Sequence, residues 1–407
     1  MAAATNTITW WQWLVHVNDV KQLWTAQPTY LISQAVFVFA GLITLLHAVK
    51  KGGRWPYFWL GTVLHGLYTD NFWRAISPES DNLWHSQTPV MFFGSRHPLH
   101  SIFVYPAFLY NAAYAVSKLR LPRYAESFAV GLVTMLINLP YDLVAVKFVH
   151  RTWHDTDPSI FDRHYWVPWT SYFFYATFTA SFFFLFVATR RWLAPKAAQW
   201  ESAGKKAELK ALLLSVLLGM PGGLLPYVAL FQPLRYVYNI HAEVAVFVLL
   251  SVFAVFVING LLSEREKVKE RLTTIDYVLN LQLAVHFIVY WVFVVFFNPE
   301  REWSLGLHEP VGPCNEVAVV KTPFGQMVKR KFFCAESFDE GYFDFSCVGG
   351  QKPQFGASWY VVCGKPFENR PEYITLLSSI LVVAAGVFYA MYAQTSPAAP
   401  QKKLKTK

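Results

Sequence analysis

Nine apolar stretches, each about as long as a bilayer is thick, divide this chain, and its basic residues crowd into every second gap between them. The stretches run over 30–49, 56–76, 98–117, 125–149, 165–189, 210–232, 242–262, 277–297 and 372–394. A helix rises 1.5 Å per residue, so roughly 20 apolar residues cover a hydrocarbon core of ~30 Å. Ala35 to Leu46 and Val244 to Ile258 contain no charge at all. This pattern predicts an all-α fold, a polytopic transmembrane helical bundle of about nine spans.

The formal charge of +9 invites a nucleic-acid reading, but its placement excludes one. Twenty of the 35 Lys and Arg fall in five places. These are Lys50, Lys51 and Arg54; Lys118, Arg120 and Arg123; Arg190 to Lys210; Arg265 to Arg271; and the tail from Lys402. The short alternate segments hold only Lys21, Arg74, Arg96, Lys147, Arg151, Arg163 and Arg235, and a long loop over 298–371 holds the rest. Basic connectors stay cytosolic, so an N-out, C-in topology follows.

Five regions are expected: an interfacial amphipathic segment (1–27), an eight-helix membrane domain (28–297), a lumenal or extracellular loop (298–371), a last span (372–394) and a basic cytosolic tail (395–407). In the first, Trp10, Trp13, Leu14, Val17 and Trp24 recur at helical spacing, as in a helix lying at headgroup depth. Gly219, Pro221, Gly222, Gly223 and Pro226 predict a kinked or unwound sixth span. All four cysteines, Cys314, Cys334, Cys347 and Cys363, fall in the loop on the oxidising side, which predicts two disulfides in any of three pairings. Lys405 and Lys403, three and five residues from the carboxyl end, resemble a dilysine retrieval signal, which favours the endoplasmic reticulum over the plasma membrane.

Seven of the twelve histidines lie between His65 and His164. Ionisable groups are expensive inside a bilayer, so those present face a cavity or each other. His65 and Asp70 belong to the second span; Asn138, Asp142 and His150 recur at multiples of four in and after the fourth, with Lys147 a loose counter-ion for Asp142. His97 and His100 flank Pro98, which suits the first turn of a helix. Were the fourth helix to run one turn further, His150 and His154 would stand at i, i+4 and chelate one metal. Zinc, or iron with open positions, suits such ligands, and His97, His100, His150 and His154 are the candidates, with Asp142 and His65 as catalytic groups. Asp155, Asp157 and Asp162 read equally well as a solvated turn. His47 reads as interfacial, His241 and Glu243 as partners of Arg235, and Tyr172 to Phe186 as lipid-facing or packing surface.

Tyr141-Asp142, Lys147, Trp153 and Tyr165-Trp166-Val167-Pro168-Trp169 together resemble part of the polytopic carotenoid-biosynthesis hydratases. The similarity covers about 30 residues; Asp155 replaces a second tryptophan of that pattern, and Trp166 stands where glycine is expected. The resemblance implies that Asp142 is a polar active-site residue acting on a long isoprenoid or similar lipid. Three functions therefore stand open: a membrane enzyme hydrating or hydrolysing a lipid or isoprenoid, a proton-coupled carrier, and a non-catalytic protein engaging partners through its stapled loop.

Overall fold

Each long apolar stretch forms a helix, and the turn chemistry between them sets where each one stops. The computed structural model describes residues 10–76, 82–154, 161–197, 201–263, 271–322 and 325–393. Two short helices, α1 (Trp10–Leu14) and α2 (Val20–Ala26), precede the long α3 (Pro28–Lys51) and α4 (Trp55–Ile76). Next come α5 (Ser101–Tyr105), a π-helical turn over Pro106–Tyr110 and α6 (Asn111–Ser117). The others are α7 (Arg123–Lys147), α8 (Trp169–Leu193), α9 (Lys205–Pro226), α10 (Ala242–Leu262), α11 (Thr274–Phe296) and α12 (Arg370–Ala393). Among the described residues, seven helices are long and apolar enough to cross a membrane: α3, α7, α8, α9 with its continuation to Val237, α10, α11 and α12. The stretches expected at 56–76 and 98–117 are also helical, but α4 carries His65, Thr69 and Asp70, and the other is broken at Pro106.

Prolines explain the irregular helices. Pro106, Pro226 and Pro233 lack a backbone donor, and a π-helical register follows each of them. The predicted break in the sixth span thus falls after Pro226, while Pro221 stays inside α9. Tight helix contacts need small residues. A Cβ on Gly131 of α7 would lie 2.5 Å from the Ala176 carbonyl, and one on Gly223 of α9 would lie 2.8 Å from Cα of Phe178, so α8 is gripped on both sides. The aromatic run on α8 supplies that grip, with Phe173, Phe182, Phe183 and Phe186 buried.

Short strands close the face towards which α4 and α7 run. They are β1 (Val15–Val17), β2 (Leu83–His85), β3 (Val90–Phe92), β4 (His97–Pro98), β5 (Arg151–Trp153), β6 (Arg163–His164) and β7 (Val167–Pro168). β3 pairs with both β1 and β4, β2 with β5, and β6 with β7. Two expectations are corrected here. The amphipathic N-terminal helix is split, because Val15–Val17 pair with Val90–Phe92, although Trp10, Trp13 and Trp24 remain exposed. His97 is not a helix cap: His97–Pro98 pair with Met91–Phe92, and His100 takes the cap position before Ser101.

The cysteine loop folds as a small β unit on the same face. β8 (Trp303–Leu307), β9 (Val317–Thr322), β10 (Gly325–Arg330), β11 (Phe343–Asp344) and β12 (Trp359–Gly364) form a hairpin, β9–β10, and a sheet ordered β11–β12–β8. Of the three possible pairings the disulfides adopt Cys314–Cys334 and Cys347–Cys363. Lys403 and Lys405, Asp155 and Asp157 lie outside the described residues.

Candidate functional site

The site begins with how α7 ends. The amide of Val149 donates to the carbonyl of Val146 (3.0 Å) and that of His150 to Ala145 (2.8 Å), with Val149 at φ 48°. This is the helix-ending Schellman arrangement, normally built on glycine at the left-handed position. A β-branched residue there is strained, and strained backbone collects at functional positions. Gln27 stabilises the turn, donating from Nε2 to the carbonyls of Phe148 (3.0 Å) and Val149 (2.9 Å). Ser86 locks it from the other side, donating its hydroxyl to Gln27 Oε1 and its amide to the His150 carbonyl (2.9 Å). The expected i, i+4 pair of His150 and His154 therefore does not form: the helix stops at Lys147, and β5 separates the two imidazoles.

Held by this turn, the His150 ring faces α3. Its Nε2 lies 2.8 Å from the hydroxyl of Thr29, which donates to Glu302 Oε2 at 2.6 Å. The Thr29 amide, one of the orphan donors of the α3 N-terminus, reaches Glu302 Oε1 at 3.3 Å. Glu302 comes from the strand entry of the cysteine loop, 273 residues away. All three residues are buried, Glu302 at 3% exposure. Burial raises the Glu302 carboxyl to about 8 despite the opposing bonds from Thr29. Burial also holds His150 well below the ordinary imidazole range, helped by His100 nearby. The Nδ1 atom of His150 has no protein partner among the described residues.

Around this chain stand other polar groups in an aromatic frame. Tyr30 stacks on His150 with ring centroids 4.7 Å apart, and His100 meets the edge of Tyr30 at 5.3 Å. Phe37 packs on both His100 (5.6 Å) and Tyr141 (4.8 Å), and the Arg151 guanidinium lies 4.4 Å from the Tyr141 ring centre. Arg151 forms a buried ion pair with Asp142, which also accepts a 2.7 Å bond from Ser171. Arg151, not Lys147, is thus the counter-ion of Asp142; Lys147 turns away to Glu368 at 2.8 Å. The Tyr30 hydroxyl, both nitrogens of His100 and the whole amide of Asn138 have no protein partner among the described residues.

The structure thus brings Asp142, His100 and His150 into one neighbourhood and sets the remaining candidates apart. His65 lies against Tyr105 (5.2 Å) and Phe182 (4.7 Å) with neither nitrogen bonded among the described residues. His97 is buried beside Phe93, within electrostatic range of His100. His154 faces Glu340 at 3.4 Å and packs on Phe333. Burial disfavours the Glu340 anion, but His154 and Arg163 outweigh it and hold its carboxyl below the usual range. Among the described residues, no group of three or more His, Cys, Asp or Glu stands where it can hold a metal ion.

Sequence reasoning missed Thr29, Glu302, Asp276 and Tyr30. Only Asp276 carried a signal: a carboxylate three residues after Thr273 at a helix start, the capping box that the structure shows. His47, expected at the interface, is buried and bonded to Asp276 (3.0 Å) and Tyr110 (2.7 Å). Arg235 and His241 turn to Asp162 rather than to each other. His286 finds the Ile137 carbonyl at 2.9 Å.

A family model described as a domain of unknown function, DUF7802, matches residues 1–393. The chain belongs to this family. No curated protein and no solved structure matches the chain. The family match takes in both the membrane helices and the cysteine loop, so Thr29, His150 and Glu302 all lie within one DUF7802 domain.

Proposed function

We propose that this protein is a membrane-embedded enzyme that hydrates or hydrolyses a lipid or isoprenoid at the face bearing the cysteine loop. The observation that carries this reading is the chain Glu302–Thr29–His150, a buried carboxyl linked through one hydroxyl to an imidazole with an unpartnered nitrogen. Such a chain moves a proton in either direction. With Glu302 ionised, Thr29 donates to it and accepts from Nε2–H of His150, which leaves Nδ1 as a base. With Glu302 protonated, the carboxyl donates to Thr29, Thr29 donates to Nε2, and Nδ1 carries the proton as an acid. A carboxyl titrating at about 8 populates both states near neutrality, as general acid–base catalysis requires.

Supporting groups fit the same chemistry. Arg151, anchored on Asp142, places its Nε without a protein partner in the same neighbourhood, where it orients a substrate oxygen. In this reading Asp142 holds Arg151 and does not act as the base, and His65 is a buried polar residue deeper in the bilayer. The likeness to carotenoid hydratases around Asp142 points to the same substrate class. Zinc or iron at the four histidines rests on sequence spacing alone.

The carrier alternative needs a polar path to both faces. Beyond His65, Phe58 packs on Phe182 (5.7 Å), Phe183 (5.8 Å) and Phe186 (5.2 Å), which favours a site open to one side. We also read the topology as nine spans, N-out and C-in, with the two disulfides on the oxidising side and the endoplasmic reticulum as the compartment.

The test is isotopic. Protein reconstituted in a total lipid and isoprenoid extract and incubated in 18O-labelled water should transfer label into a lipid product. His150→Gln and Glu302→Gln should each reduce the rate by at least ~100-fold. Label-free lipids after incubation with folded wild-type protein would overturn the proposal.

A further inference from the structure

The helix that carries Thr29 in its first turn ends at Lys51, on the opposite face, and there the basic connectors converge on a hollow of about 290 Å³. Its walls come from three separate segments. Lys51, Gly52, Gly53, Arg54 and Trp55 form one, Tyr114 to Arg120 the second, and Glu201 with Ser202 the third. Positive-inside bias explains cations in these connectors, but it asks only for exposed ones. Here Arg54 is 2% exposed and Lys118 is 3% exposed, although withdrawing a cation from water is costly.

The cations are also held near one another. The Tyr114 ring has the ammonium of Lys118 at 4.2 Å and that of Lys51 at 5.5 Å from its centre, so one ring gathers both ammonium groups. Burial lowers Arg54 to about 10, and the like charges of Arg190 and Arg120 push in the same direction. Acidic residues accompany these cations. Asp276 takes Lys51 at 2.8 Å, Glu126 and Glu208 lie within electrostatic range of Arg54, and Glu201 lines the hollow. Among the described residues, four basic residues and one acidic residue line the space itself.

The third wall is built, not incidental. Arg190 and Glu208, both buried, form an ion pair in which both carboxylate oxygens share the Nε–H of Arg190, at 3.0 and 2.9 Å. Arg190 also grips the carbonyl of Glu201, and Glu208 accepts from the amide of Ala203 at 2.9 Å. This pair therefore fixes the turn that carries Ser202 against the hollow.

We propose that this hollow binds a phosphate monoester, either free in solution or borne on a membrane lipid. Clustered lysine and arginine satisfy a doubly charged phosphate, Ser202 supplies a hydroxyl beside it, and the position at the helix ends is headgroup depth. The site is independent of the Glu302 chain on the other face.

The test uses the full chain in nanodiscs. Inositol 1,4,5-trisphosphate probes the free form. Phosphatidylcholine discs with about 5 mol % phosphatidylinositol 4-phosphate, against discs with equal charge as phosphatidylserine, probe the lipid form. Binding of the soluble probe assigns a free ligand, and thermal stabilisation only by the phosphoinositide assigns a lipid one. In either case Arg120→Ala with Lys118→Met should weaken binding by roughly tenfold or more, Lys118→Arg should retain it, and Glu201→Gln should strengthen it. Glu201→Gln and Lys118→Arg keep the result readable if the double variant fails to fold. Equal stabilisation by phosphatidylserine, or no binding of either probe to wild type, would overturn the proposal.

Discussion

At the scale of single residues, burial decides what each ionisable group can do. Glu302 has a folded value of about 8 against ~4.3 in an unfolded chain. Between those values the folded state keeps a proton that the unfolded state releases, so stability is full below ~4.3 and falls as pH rises through about 8. The loss approaches ~5 kcal/mol at high pH as an upper bound. Glu302→Gln cannot ionise, so its thermal midpoint relative to wild type should climb between pH 5 and 8 and level off above; a pH-independent difference would contradict this. Asp142 makes the opposite case. Its partner Arg151 is 3% exposed, and Arg151→Met strands a buried carboxylate. We expect a loss of about 3–5 kcal/mol in denaturant unfolding, largely recovered when Asp142→Asn is added. The sequence marked Asp142 because an aspartate late in an apolar span is costly and therefore conspicuous. It could not mark Thr29 or Glu302, which look ordinary until the fold brings residues 273 positions apart into contact.

At the scale of elements, helix contacts are set by where a side chain is tolerated. Gly223 faces Phe178 backbone within 3 Å of a new Cβ, whereas a Cβ on Gly386 of α12 meets nothing within 4 Å. Gly223→Ala should therefore destabilise by ~1–3 kcal/mol, and Gly386→Ala should stabilise by roughly 0.5–1 kcal/mol, in the same unfolding assay. The helices themselves were legible from apolar runs of bilayer length. Their ends were less so: α7 stops at a Val149 turn that normally announces itself with glycine, and that turn is what separates His150 from His154. The strand His97–Pro98 was hidden for a related reason, since a proline after an apolar loop reads as a helix start as readily as an edge strand.

At the scale of the whole molecule, α3 ties two distant chemistries together, with Thr29 at one end and Lys51 at the other. Non-reducing digestion and mass spectrometry should recover Cys314–Cys334 and Cys347–Cys363 as separate linked peptides. The cysteine loop clamps this face: besides Glu302 on Thr29, Lys147 reaches Glu368 and the Pro366 carbonyl, and Tyr342 bonds the backbone of Trp153. Opening either disulfide should therefore loosen the Glu302 chain as well as the loop. The pattern of lysine and arginine is a local signal, because sidedness is encoded in each connector separately. Pairings across that face depend on the packed bundle and left no local trace.

The most direct measurement is a pH titration of the protonated-carboxyl stretch of Glu302 in reconstituted protein, taken as the infrared difference between wild type and Glu302→Gln. A midpoint near 8 that moves when Thr29→Val cuts the link to His150 is the predicted result. A midpoint in the ordinary carboxylate range, unmoved by Thr29→Val, would contradict the buried relay and the function built on it.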